Sequence, residues 1–82
     1  MATKACALVQ NELMFLGDIL SIGMVKKGLE RVGSSPDMAT PVELAKALDV
    51  HIEPAIVTFI GPAKARKIVL RIKDQLSRME AS

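Results

Sequence analysis

The chain has 82 residues, half of them hydrophobic and only two aromatic, with 11 Lys plus Arg against 9 Asp plus Glu, a net charge of +2. At 8.8 kDa and a mean hydropathy of +0.31, residues 1–82 read as a single helical domain, not as a disordered tail or a two-domain enzyme. One cysteine excludes a disulfide scaffold within the chain, and the lack of Trp and Tyr excludes an aromatic platform for stacking RNA bases.

The first predicted element is a helix from about Lys4 to Val32. Thr3 can cap its start, and Lys26, Lys27 and Arg31 gather near its far end, where the helix dipole favours cations. Gly33 supplies a stop, followed by the turn cluster Ser34-Ser35-Pro36-Asp37. At 100° per residue, Asp18 shares a face with Met14, Ile22 and Val25, while Leu13, Leu16 and Leu20 cover the other side. A helix apolar all round is surrounded by protein, so this element is expected to be the central helix, with Gly23 as a place where it could break. Its most apolar run, Leu13 to Val25, is too short for a membrane span, which needs about 20 residues, and it contains Asp18. The Met-Ala-Thr-Lys-Ala start lacks the layout of a secretory signal. A cytoplasmic protein with no membrane partner is the expectation.

Thr40-Pro41-Val42-Glu43 is the clearest start signal: an N-cap Thr, a Pro at the first helical position and a Glu at the third. The helix it opens runs through Leu44, Ala45, Ala47 and Leu48, with Pro54 as its limit. The apolar run Ala55–Ile60 is β-branched enough for a strand but has no second strand to pair with, which favours a short buried helix from Pro54 to Gly61. From Pro62 to Met79 the stripe Ala65, Ile68, Val69, Ile72, Leu76 and Met79 opposes Lys64, Lys67, Arg71, Asp74 and Arg78, an amphipathic helix. The expected fold is all-α, a compact bundle of four to five helices with a long apolar central helix.

Three features could carry function. Gly17, Ser21 and Gly28 lie within about 40° of one another on the first helix. Since an interior Gly costs about 1 kcal/mol relative to Ala, the stripe calls for a close approach, either packing within the chain or a homodimer seam. Charge is the second: residues 1–63 carry five basic and seven acidic side chains and residues 64–82 carry six and two. The C-terminal helix is therefore the basic element, a solvated face or an anion-binding one. The third is a thin set of reactive groups. Cys6 reads as a partly buried thiol. His51, between Asp49 and Glu53, reads as a surface histidine, because alternate residues of a helix do not share a face. Asp18 reads as a side chain at the core edge, with a buried carboxylate as the sharper alternative. No catalytic residue, cofactor or metal ligand is expected, and the chain does not read as an enzyme.

Residues Ile60-Gly61-Pro62-Ala63-Lys64-Ala65-Arg66-Lys67-Ile68-Val69 resemble the hairpin and second helix of a helix-hairpin-helix DNA-binding motif. The resemblance implies phosphate contact by backbone N–H groups beside a helix N-terminus. Phe59 stands where that motif has its first Gly, and Pro62 removes one donor. Val42–Val50 resembles the first helix and turn of a helix-turn-helix domain, but Pro54–Ile60 offers almost nothing polar for base edges. As a whole, the Leu-Gly-Asp helix, the Pro-Asp-x-x-Thr-Pro cap and the Ile-Gly-Pro-Ala-Lys-Ala helix start resemble small helical domains that stand alone in archaea and bacteria or are appended to signalling proteins there. The leading expectation is a non-enzymatic protein-interaction or dimerisation module. It would be a homodimer or bind another protein, with Gly17, Ser21 and Gly28 at the interface and the apolar excess buried there. The alternative is nucleic-acid binding through Gly61, Lys64, Arg66, Lys67 and Arg71.

Overall fold

The computed structural model describes residues 2–81, with side chains as far as Met79. Thr3 starts the first helix, α1 (Lys4–Glu12), as expected: its hydroxyl oxygen accepts from the Cys6 N–H at 3.2 Å and donates to the Ala39 carbonyl at 2.7 Å. One side chain thus satisfies a donor that the first helical turn leaves open, and ties that turn to a loop far along the chain. After Leu13 the backbone makes a 3-10 turn, Met14–Leu16, and Gly17 at φ +98° begins α2 (Asp18–Arg31). The single helix expected from Lys4 to Val32 is therefore two helices packed on each other, and the break falls at Gly17 while Gly23 lies inside α2. The reason is local. A positive φ is cheap only for glycine, and the Leu-Gly-Asp sequence sets a carboxylate in the first turn of α2, where the helix dipole welcomes it.

α2 ends as Gly33 predicts. Gly33 takes φ +77°, its N–H donates to the Glu30 carbonyl at 3.2 Å, and the Ser34 N–H reaches back to the Leu29 carbonyl at 2.8 Å. These two bonds form a Schellman stop. Thr40 then opens α3 (Pro41–Ala47) with a complete capping box: the Glu43 N–H donates to Thr40 Oγ1 at 3.2 Å, and Glu43 Oε1 accepts from the Thr40 N–H at 3.0 Å. The same carboxylate oxygen accepts from Ser34 Oγ at 3.0 Å, joining the end of α2 to the start of α3.

Pro54 does not end this helix. Between α3 and α4 (Glu53–Ile60) the chain makes a π turn, Leu48–Ile52, in which the Glu53 N–H bonds the Leu48 carbonyl five residues back. Proline cannot donate to the carbonyl four residues before it, and its ring would collide with that carbonyl in a regular α-helix. Widening the turn by one residue accommodates it. Residues 55–60 are helical, so the strand alternative falls. Gly61, at φ +85°, separates α4 from α5 (Pro62–Ala81), the amphipathic helix read from its stripe.

Ala65, Val69, Ile72 and Leu76 of that stripe are buried, together with Val9, Leu29, Leu44, Leu48, Ile52 and Ile56 from the other helices. α2 packs on α1, on α3 and on the π turn, whereas α4 packs on α5 and the π turn. The all-α bundle is as expected; its long apolar central helix is not. Met14, Leu20 and Ile22, read as part of a helix surrounded by protein, are exposed, as are Phe15 and Ile19, while Leu13 and Val25 are buried.

Candidate functional site

The glycine stripe does not form a surface seam. Gly17 lies outside any helix, in the turn that starts α2. Ser21 is fully buried and its hydroxyl donates to the Asp18 carbonyl at 3.0 Å, within its own helix. Gly28 is buried against α3 and the π turn: a Cβ there would stand 3.2 Å from Ala47 Cβ and 3.3 Å from Ile52 Cγ1. The close approach that Gly28 permits is thus between α2 and the helix following it in the same chain, the within-chain packing of the two readings; Ser21 and Gly28 are buried, whereas Gly17 is exposed.

The basic residues sit on the outer side of α5. Lys64, Arg66, Lys67 and Arg71 are all exposed. Arg66 pairs with Glu53 at 3.0 Å and Arg71 with Glu12 at 2.7 Å, leaving Lys64 and Lys67 without an ion pair among the described residues. Both arginine pairs are half-exposed and add little stability. They do tie α5 to α4 and to α1. The Gly61 N–H donates to the Val57 carbonyl at 2.9 Å, so it is not free for a phosphate.

The other reactive groups are distant from one another in role. Cys6 is fully buried, and its thiol is pushed above its ordinary value by burial and then by the Asp37 charge. Asp18 is exposed at the first turn of α2, not a buried acid. His51 is half-buried, and its imidazole is held below the ordinary value by burial first and then by Arg31 and Lys27. Among the described residues, no cluster of His, Cys, Asp and Glu is placed to hold a metal, and no buried side-chain polar atom lacks a hydrogen-bond partner.

What the sequence reading did not locate is a groove between the start of α2 and α4. Ile19, Leu20, Gly23, Met24 and Lys27 of α2 line one hollow with His51 and Ala55, and Lys27 and Arg31 share another with His51. Phe15, just before α2, lies beside Ile60. The two segments therefore run antiparallel, without the close packing that joins α2 to α3. At the Phe15 end a hollow of about 560 Å³ is walled by Phe15, Ile60 and Ile68 and rimmed by Lys64, Lys67 and Arg71. At the other end Lys27, Arg31 and Glu30 stand around His51. Between them Ile19 is open to water, 88% exposed, while Phe15 in the wall of the first hollow and Phe59 on α4 are each 54% exposed. The only signals for this face in the sequence were that Phe15 and Phe59 are the sole aromatics, and that each falls two residues before a glycine that restarts a helix.

No protein-family model matches the chain, and no curated protein or solved structure is significantly similar to it. Among the described residues no helix is long and apolar enough to cross a membrane.

Proposed function

We propose that the chain is a non-enzymatic protein-interaction module whose docking face is the open side of α2 and α4. The observation that carries this reading is the set of large apolar side chains left uncovered there, Phe15, Ile19, Leu20 and Phe59. Scattered single apolar residues on a surface are ordinary, but contiguous ones mark contact sites. Here Leu20 and Ile19 line one hollow with Ala55, in the middle of the groove, and Phe59 follows Ala55 by one helical turn on α4.

The test is site-specific photo-cross-linking in the protein's own cells. A reactive residue at Ile19 is expected to give discrete adducts, whereas the same residue at Lys46, which lines a separate hollow between α3 and α5, gives none. Equal adducts at both positions, or none at Ile19, would sink the reading. Light scattering then decides whether the partner is a second copy, which would raise the mass to twice 8.8 kDa.

A second reading, nucleic-acid binding, is supported by the exposure of Lys64 and Lys67 side by side with Arg71. It expects affinity to fall steeply with salt, and the slope to decrease by about one unit for each lysine removed. An affinity unchanged in Lys64→Ala and Lys67→Ala counts against it.

A further inference from the structure

We infer that the groove between α2 and α4 receives an amphipathic helix whose flanks are acidic, supplied by a different protein. This rests on the interaction-module reading and names the chemistry of its partner. The argument is charge complementarity along one line. The middle of the groove is apolar, formed by Leu20 and Ala55. Lys64 and Lys67 stand at one end, beside the Glu12-paired Arg71, and Lys27 and Arg31, with Glu30 between them in sequence, stand at the other, where the cations are in excess by one. None of Lys64, Lys67, Lys27 and Arg31 has an ion pair among the described residues, so these cations are available to a ligand. Residues 51–60 form about ten residues of continuous helix, and at 1.5 Å per residue the wall they make is about 15 Å long. That is the footprint of nearly three turns of a helix laid in a groove through apolar side chains at every third and fourth position.

A second copy fits less well. It would bring the same cations against this face, and like charges placed together across an interface are unfavourable. Acidic residues on the partner would instead steer it in and fix its register, while its apolar side chains cover Phe15, Ile19 and Leu20. An anionic membrane or a duplex nucleic acid would use the cations too, but neither needs a walled groove of helical length with cations at both ends.

The experiment is calorimetric titration of the full chain with two synthetic helices of about 18 residues. One carries leucine on one face and glutamate on the other; its counterpart has lysine in place of every glutamate. The glutamate helix is expected to bind, and to weaken by about tenfold or more as salt rises from about 50 to about 300 mM. The lysine helix is expected to bind at least about tenfold more weakly. Leu20→Ser and the Lys64→Glu/Lys67→Glu pair each reduce binding of the glutamate helix by about tenfold. All three positions are exposed, and circular dichroism checks that the variants stay helical. Equal binding of both helices, or none of the glutamate helix, overturns the proposal. So does binding to phosphatidylglycerol vesicles or duplex DNA that the charge-reversal pair abolishes while leaving the helix titration unchanged. The two readings fail separately: adducts at Ile19 without glutamate-helix binding would leave an interaction module with a partner of other chemistry, whereas no adducts at all would remove the module itself.

Discussion

α2 has two apolar sides that came to opposite ends. On one, Gly28 lets the backbone settle against Ala47 and Ile52, and Val25 and Leu29 are fully buried. On the other, Leu20 and Gly23 look toward Ala55 and His51 across a gap. The residues on the two sides are of similar hydrophobicity, so hydrophobicity did not decide which side closed. Distance of approach did. A glycine at the crossing brings α2 onto α3 and the π turn, and among the described residues no helix packs closely over its outer side. Part of the apolar surplus of this short chain thus lies on an open face and not in the core.

The closed side should respond most to substitution. Gly28→Leu forces a branched side chain into a contact already tight for a single methyl group, and it is expected to lower stability by about 3 kcal/mol. Urea unfolding followed by circular dichroism reads this; a loss below about 1 kcal/mol would mean that α2 and α3 are looser than their geometry. The open side should do the reverse. A Cβ at Gly23 meets nothing within 4 Å, so Gly23→Ala is expected to stabilise the fold by up to about 1 kcal/mol through helix propensity alone. Destabilisation there would show that the gap is closed in solution.

The junction that holds the closed side together is next. Thr40→Ala removes an N-cap and is expected to cost about 1 kcal/mol. Glu43 adds a pH signature. Its carboxyl is held below the ordinary value of 4.5, chiefly by the Thr40 N–H and then by the Ser34 hydroxyl. A lowered folded value stabilises above the unfolded one, and that contribution disappears as pH falls through the folded value. The advantage of wild type over Glu43→Gln should therefore be present at neutral pH and shrink below pH 4.5; a constant difference in thermal midpoint would contradict it.

The smallest effect belongs to the far end of the groove. His51 faces Lys27, Glu30 and Arg31 of α2, and burial followed by the two cations holds its imidazole below 6.5. The unfolded chain takes up a proton that the folded one resists, so stability rises with pH between the folded value and 6.5. Lys27→Ala should move the histidine titration upward, as followed by imidazole proton resonances. An unchanged titration would mean that burial acts alone.

Much of the fold was legible because its signals are local. Thr3, Gly33 and the Thr40–Glu43 box act on backbone groups a few residues away, and the stripe of α5 repeats every three or four residues. The break at Gly17 was hidden by its neighbours: Met14, Phe15, Ile19 and Leu20 are apolar but exposed, which erases the one-sided pattern that marks helix boundaries. Pro54 was read as a stop because the rule for a regular α-helix was applied where the backbone takes a wider turn. At the site, the cations of α5 followed from counting charge along the chain. The groove did not, since nothing in the order of residues says that the start of α2 lies alongside α4. Gly28 was singled out as a close approach, and of its two readings the structure has the one within the chain, against Ala47 and Ile52.

The π turn has a geometric consequence for that groove. Its extra residue advances the phase of everything after it by about 100° relative to a regular helix. Shortening the chain by one residue between Leu48 and Ile52 would rotate α4 back by that angle, carrying Ala55 and Phe59 away from α2 and presenting a different flank. The orientation of the open face is thus set by a count of one residue, and Pro54 is the side chain that keeps the count from relaxing.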